Sequence, residues 1–392
     1  MTHISVIVPS YNHEAFVVDA VHSVLRQTVR PTEVIVVDDC SQDGSVARLR
    51  RIADERVRII VHKANMGGAA TLNTGIRSAT GEYIAICNSD DLWEVDKLEK
   101  QLRAFETHPE LGAVFTDVRW VGEHGQREKG YGDIFRQANR SRFEWTKRLL
   151  EGGNCLCHPS VMIRAAVYSA VGEYDNRFRQ LPDYRMWLRV VNQFEIEVLD
   201  EPLIRFRLHG NNTSQPSPST SARDRNECAL IWEETFLAMD ANTLHGAFGT
   251  RRHPSDPQFN LAVEKVFYLW SVSGYLASIA RTVANEIAFR LIGTEAGVAA
   301  WESYGLTVHD FHTLHGIGSP WLRPPAECTT PAETDLMRRI GGYVPPRPSG
   351  SPASATQGSP LEIKKLTGMR KLRRELRRIR RQVTNIFSGT VA

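Results

Sequence analysis

Short runs of β-branched and aliphatic residues alternate, along the first ninety positions, with segments whose apolar residues recur every three or four. This predicts strands at 4–8, 33–37, 57–62 and 82–87 and helices at about 14–27, 43–53 and 68–79. The runs "ISVIVPS" and "EVIVVDD" are apolar on both faces, as parallel strands covered on two sides by crossover helices should be. The fold class expected is therefore α/β. Polar residues collect where these strands end: Ser10, Tyr11 and Asn12 after the first, Asp38 and Asp39 after the second, Asn88 to Asp91 after the fourth. In open α/β sheets that edge is where ligands bind.

From about 113 the alternation weakens. "GAVFTDVRW" reads as a strand, 143–151 and 183–193 as helices, 195–208 as strands, and "HGNNTSQPSPSTS" breaks the pattern at 209–221. A helical, aromatic-rich region is expected over 222–343. Its longest uncharged apolar stretch, "VFYLWSVSGYLASIA" from Val266 to Ala280, is shorter than the roughly 18 to 20 residues that span a bilayer and reads as one buried helix. Residues 344–360, with "PPRPSGSPASATQGSP", have the composition of a disordered linker. Beyond it, in 361–392, Met369, Leu372, Leu376, Ile379, Val383 and Ile386 form a narrow apolar stripe through an arginine-rich helical pattern.

Charge changes the picture only at that end. The chain of 392 residues carries a net +3, but ten Lys or Arg stand against Glu362 and Glu375 from Leu361 onward, so this segment holds +8 and the remainder −5. The body is not a nucleic-acid binder on that balance, and no nucleic-acid partner is expected. The segment 361–387 has three readings: contact with an anionic membrane surface, coiled-coil self-association, or a solvated tail. Six scattered cysteines give no disulfide framework, and Cys155 and Cys157 alone make a poor zinc site. No secretory leader is visible at the start, so a cytoplasmic location is expected, peripheral on the inner face of the plasma membrane if the basic segment binds there.

The adjacent acids are the main chemical signal. Carboxylates at strand ends can accept hydrogen bonds from ribose hydroxyls or a base N–H, or hold a divalent cation against a diphosphate. Plainer roles stand beside these: Ser41 or Asp43 capping the following helix, Asp90 and Asp91 turning the chain before a helix near Glu94, Asp183 capping 183–193. Two neighbouring acids repel each other, which is unfavourable without a cation or donors. The glycine pair in "ANMGGAATLNTGI" suits either backbone approach to phosphates or close helix packing.

"ISVIVPSYNHEAFVVDAVHSVLRQTVRPTEVIVVDDCSQDGS", "NMGGAATLNTGIRSATGEYIAICNSDDLW", "LPDYRMWLRV" and "IRFRLHGNNTS", in that order, resemble the family 2 glycosyltransferases over about residues 3–214. The resemblance implies a GT-A nucleotide-binding sheet with flanking helices over 1–215, followed by the mainly helical region, and an enzyme that uses a nucleotide-sugar, a UDP-sugar by expectation. It implies that Pro9, Tyr11, Asn12, Asp38, Asp39, Asn73, Asn88 and Asp90 bind the donor, with Tyr11 near the base, Asp39 reading its edge and Asp38 supporting that loop. It further implies that Asp91, with Asp90 and His209, holds Mn or Mg, that Asp183 is the catalytic base of an inverting transfer to a glycan or lipid-linked hydroxyl, and that His158 lines the acceptor side. Two departures stand out: Asn88 where many relatives have Asp, and Leu72 where many have Arg. They leave room for a catalytically degenerate, nucleotide-sugar-binding assembly subunit. A nucleotidyltransferase would want a glycine-rich, basic loop after the first strand, which "PSYNHEAF" lacks.

Overall fold

The structure, a computed structural model, describes residues 2–210, 212, 217–316, 336 and 339. The parallel half follows the sequence pattern closely. Strands β1 (Ile4–Ser10), β2 (Glu33–Asp38), β3 (Val57–Val61) and β4 (Tyr83–Ile86) are joined by α1 (Val17–Leu25), α2 (Ser45–Leu49) and α3 (Gly68–Ser78). The buried residues of α1, Val17, Ala20, Val21 and Val24, recur on one face at helical spacing. Helix α2 is shorter than the 43–53 expected, because only Ser45 and Leu49 give it a buried side and the chain turns away after one turn.

The second half supplies β5 (Leu92–Trp93), α4 (Lys97–Thr107), β6 (Leu111–Gly122), α5 (Arg142–Gly152), β7 (Met162–Arg164), α6 (Ala165–Val171), α7 (Pro182–Val191) and β8 (Glu195–Leu208). The eight strands form one sheet in the order β3-β2-β1-β4-β7-β6-β8-β5. Pairing is parallel from β3 to β4 and between β6 and β8, and antiparallel where β7 joins β4 and β6 and where β5 joins β8. Strand β5 lies between Asp91 and the helix expected near Glu94, which begins as α4 at Lys97. Its Trp93 is buried, and the Lys97 ammonium sits 3.9 Å from that ring.

Helices α8 (Pro218–Ala238), α9 (Ala241–Phe248), α10 (Leu261–Ser271), α11 (Ala277–Ile292), α12 (Glu295–Ser303) and α13 (Val308–Gly316) follow. The single buried helix expected over 266–280 is two, α10 and α11. Gly274, at φ +77, lets the chain bend between them, a backbone state that side chains disfavour. These helices do not build a core of their own. Trp232, Trp270 and Trp301 join Trp145 of α5, Trp187 of α7 and Ile7 of β1 in one contiguous cluster, so the boundary expected near 215 falls inside a shared core. The opposite face of the sheet packs Val6 and Val8 against α1 and α4. No helix among the described residues is long and apolar enough to cross a membrane. The expected linker 344–360 and basic helix 361–392 lie outside the described residues.

Candidate active site

The loops after β1 and β2 brace each other. Asn12, held at φ +53, accepts a hydrogen bond from Gln42 N at 2.8 Å through Oδ1, while its own N–H donates to Ser41 Oγ. The buried Asp38 carboxylate accepts from Ser41 N, Ser41 Oγ and Ser10 Oγ, which is the loop-supporting role expected of it. Asp39, expected to read a base edge, accepts from Met66 N and Gly67 N, each at 2.8 Å, and pairs with His62 Nδ1 at 2.8 Å. Those bonds fix the turn into α3. Pro9 is partly buried in this edge and the Tyr11 ring is 44% exposed, free to stack on a planar ligand.

Of the glycine pair at the start of α3, Gly67 sits at φ +89, and a side chain added at Gly67 or Gly68 would meet nothing within 4 Å. Close packing is therefore not their purpose. Gly75 has that role, since a Cβ there would lie 2.4 Å from Ile7 Cγ2. Leu72 is 5% exposed and belongs to the core, so the residue standing in place of the relatives' Arg does not face the site. Asn73 is likewise turned inward. Its Oδ1 accepts from Tyr174 N and its Nδ2 donates to Tyr174 O and Asn176 Oδ1, which makes it a brace for the 174–176 loop and not a donor contact.

The turn after β4 separates its two acids. Asp90 Oδ2 lies 3.0 Å from His209 Nε2 and 3.3 Å from Asn212 Nδ2. His13, from the loop after β1, completes a group in which one ligand-type atom from each of His13, Asp90 and His209 lies within 4.8 Å of the others. Asp91, expected to be the principal metal ligand, is not part of that group. Its Oδ1 accepts from Arg207 N at 2.8 Å, its Oδ2 is buried without a partner, and it is felt by the buried Cys87 and Cys157 thiols. Burial first, and then the charge on Asp90, push Asp91 well above the ordinary carboxylate range. Asn88 sits beside Asp91 and favours its ionised form by hydrogen bonding. A third carboxylate in that position would add repulsion instead.

Arg207 and His13 are the residues the sequence reading missed here. Arg207 is 6% exposed. Its Nε donates to Asp90 O at 2.8 Å, its Nη1 to Glu123 O at 2.7 Å, and its guanidinium lies 4.8 Å from the Phe16 ring, so it clamps the acidic turn to the end of β6. The available signal was its place two residues before His209 at the end of a strand. For His13 it was an imidazole directly after Asn12 on the ligand edge.

A second group gathers around the start of α7. Asp183 is the second residue of that helix, after Pro182, and is not its N-cap. Its Oδ1 accepts from Tyr184 N at 2.8 Å and its Oδ2 from Asn154 Nδ2 at 2.7 Å. Burial pushes the carboxyl up to about 6, against the lowering effect of those donors. His158 Nε2 lies 3.1 Å from the Tyr174 hydroxyl, and burial lowers the imidazole to about 4, so it is neutral. The loop leading into α7 is fixed from α8: Glu227, 6% exposed, accepts from the backbone N–H groups of Arg179, Gln180 and Leu181 at 2.8–2.9 Å. Asn154, Tyr174 and Glu227 escaped the sequence reading because their partners lie far along the chain.

An α/β sheet whose carboxyl edge joins an aromatic-bearing loop to a carboxylate flanked by imidazoles, with a raised carboxyl at a helix start in the same unit, has the make-up of a group-transfer enzyme. The family model described as glycosyl transferase family 2 matches residues 5–172. The Bacillus subtilis protein TuaG, named for teichuronic acid biosynthesis, is 46% identical over 214 residues, covering 54% of this chain and 81% of TuaG. EpsE of the same organism, named as a glycosyltransferase, is 30% identical over 210 residues, 52% of this chain and 72% of EpsE. A longer Sinorhizobium fredii protein, y4gI, is 33% identical over 196 residues, only 20% of its own length. The chain belongs to glycosyl transferase family 2. Among solved structures, S. aureus TarS 1–349 in complex with UDP-GlcNAc superposes with a TM-score of 0.52 at 16% identity, over 87% of this chain and 91% of that one, which shows a shared fold.

Proposed function

We propose that the chain transfers a sugar from a nucleotide-sugar, with UDP-sugars the first donors to test, to an acceptor hydroxyl with inversion, in bacterial surface polysaccharide or glycolipid synthesis. The observation that carries this reading is Asp183: a carboxyl raised to about 6, still ionised at neutral pH, and oriented by one amide and one backbone N–H. A base tuned close to the working pH removes a proton most effectively as the hydroxyl attacks the anomeric carbon. Asn154 holds the carboxylate, and Tyr174 and the neutral His158 offer hydroxyl and imidazole contacts to an acceptor. UDP-GlcNAc in the TarS structure supports a nucleotide-sugar donor, and the name of TuaG, for teichuronic acid biosynthesis, supports a polysaccharide product.

On the donor side, the exposed Tyr11 would stack on the base, and the edge from Pro9 to Asn12 would take the nucleoside. Asp90, His13 and His209 fit a divalent ion: their donor types are those such ions take, and one ligand-type atom from each lies within 4.8 Å of the others, so these three residues would hold it. When bound, such an ion would neutralise charge developing on the departing diphosphate. The basic segment 361–387 would keep the enzyme at the inner membrane surface, near a lipid-linked acceptor.

The test is a titration with a panel of nucleotide-sugars, with and without Mn2+, followed by transfer assays. Binding of a UDP-sugar that strengthens with Mn2+, and release of UDP that Asp183→Asn abolishes, are the expected results. Absence of binding by any member of the panel in either condition would end the reading. Binding with no transfer to any acceptor would favour an assembly subunit that holds the donor without using it.

A further inference from the structure

We infer that His13 is a third protein ligand of the cation and that the resulting set, two imidazoles and one carboxylate, selects a first-row transition ion over Mg2+. The inference rests on the donor-site reading above and goes beyond it in naming the ligand and the ion class. The three residues come from three separate loops, after β1, β4 and β8, and share no local sequence. The sheet brings the loops to one edge, since β1 and β4 are parallel neighbours and β8 pairs with β5 just after the acidic turn, but it does not dictate that two imidazoles and a carboxylate meet there. Their convergence, with His209 and Asp90 buried and His13 partly so, is what a shared ion would explain.

The surroundings of His13 are those of a metal-bound imidazole. Nδ1 lies 2.7 Å from the Ser89 hydroxyl, and Ser89 is itself buried between Asn88 and Asp90 in the acidic turn. With the Nδ1 proton donated to that oxygen, Nε2 keeps the lone pair. A ligating histidine commonly has its other nitrogen fixed in this manner. The ring stands edge-on to His209 at 5.5 Å and 88°, and Phe16 packs against both, 6.1 Å from His13 and 5.2 Å from His209. Phe16 therefore puts an apolar wall on one side of the two rings and limits their rotation. Three protein donors leave positions open for diphosphate oxygens and water.

The choice of ion follows from donor chemistry. Mg2+ keeps its waters and favours oxygen ligands in near-ideal octahedra. Imidazole nitrogen suits Mn2+ less than Co2+ or Zn2+, but suits all three better than Mg2+. Had Asp91 been a ligand, the site would offer two carboxylates and its preference would be weaker. Because Asp91 stands outside the group and its Oδ1 is held by Arg207 N, nitrogen dominates. His13 also neighbours Asn12, whose side chain carries the loop after β2, so an ion bound through His13 would fix the nucleotide loop before the donor arrives.

The test uses the full chain stripped of metal and needs no donor or turnover. Co2+ binding is followed by its visible d–d absorption, and Mn2+ binding by loss of the free-ion paramagnetic resonance signal, with Mg2+ as competitor. The expected result is Co2+ and Mn2+ binding that Mg2+ displaces only at tenfold or greater excess, and a loss of about 10- to 100-fold in affinity for His13→Gln. His13→Asp, an oxygen ligand at the same place, should bind Mn2+ again but narrow its advantage over Mg2+. Thermal unfolding of the metal-free variants separates ligand loss from misfolding. An unchanged Co2+ spectrum and affinity in His13→Gln, or Mg2+ competing at parity in the wild type, would overturn the inference. If metal binds as described and no nucleotide-sugar ever does, the inference stands and the proposed function fails. If donors bind with Mn2+ and the His13 variants behave as wild type, only the inference fails.

Discussion

Two pairs of adjacent aspartates end the strands on either side of β1, and the fold treats them in opposite ways. Asp38 and Asp39, after β2, accept from two hydroxyl groups, three backbone N–H groups and one imidazole. Asp90 and Asp91, after β4, receive one backbone N–H between their side chains, from Arg207 to Asp91; the Asp90 carboxylate meets the His209 imidazole and the Asn212 amide, with His13 beside them. A carboxylate supplied with backbone amides is settled without a ligand. One placed among imidazoles, next to a second acid, belongs to a donor set that a cation also takes. The sequence "DD" is the same in both, and what differs is which donors the distant chain brings.

The largest effect expected anywhere in the site lies outside both pairs and sets the scale for them. Asp183→Asn should lower kcat by about 10²- to 10⁴-fold while leaving nucleotide-sugar binding, measured by calorimetry, nearly unchanged. The pH dependence follows from the direction of the shift. Asp183 must be ionised to accept a proton, and its carboxyl is raised to about 6, so kcat/KM should be level above that value and fall about tenfold per unit below it. An acid limb near pH 4 would show that burial does not act on this carboxyl as described.

The two pairs should then fail differently. Asp90→Asn should abolish Mn2+-dependent donor binding and leave the unfolding midpoint of the metal-free protein about where it was, because the substitution relieves repulsion with Asp91 and breaks no backbone bond. Asp39→Asn should do the reverse. Losing one of the charged acceptors of Met66 N, Gly67 N and His62 ought to cost about 2–3 kcal/mol in denaturant unfolding, with metal binding retained. Equal loss of stability in both variants, or loss of metal binding in Asp39→Asn alone, would erase the distinction drawn between the pairs.

Much of the parallel half was legible because its strands are fully buried, β-branched and end on polar residues, so each boundary is marked locally. The same local marks located both acid pairs, whereas Asp183, at a helix start, was singled out by the family resemblance of "LPDYRMWLRV". Those marks could not show which carboxylate faces the site. That choice is made by Arg207 N, 116 positions from Asp91, and by the imidazole of His209, 119 positions from Asp90. Helices α10 and α11 were fused in the reading because Gly274 lies inside an apolar run, and burial alone does not reveal a bend. Strand β5 escaped because two residues carry no periodicity, and its pairing with Ile204 and Arg205 is wholly non-local. Asn73 shows the opposite error: a polar residue in a motif region was read as a ligand contact, although its three hydrogen bonds hold a loop.

The smallest effect tests the scaffolding loop by itself. Among the described residues, Asn12 and Cys40 are the non-glycine positions with a left-handed backbone, at φ +53 and +63, and they belong to the two loops that brace each other. Asn tolerates that conformation, and its side chain there accepts from Gln42 N, so Asn12→Gly exchanges a hydrogen bond for freedom it hardly needs and should lose about 1 kcal/mol. Cys40 has no such compensation. Its sulfur makes only long contacts, 3.8 Å to Lys63 O and 3.6 Å from Gln42 Nε2, while its Cβ carries a left-handed penalty of roughly 1–2 kcal/mol. Glycine removes that penalty and adds about 0.5–1 kcal/mol of unfolded-chain entropy cost. Cys40→Gly should therefore be neutral or up to about 1 kcal/mol more stable in urea unfolding, with metal affinity unchanged. Destabilisation beyond that of Asn12→Gly would mean that the thiol, and not the carboxylates beside it, holds the loop after β2.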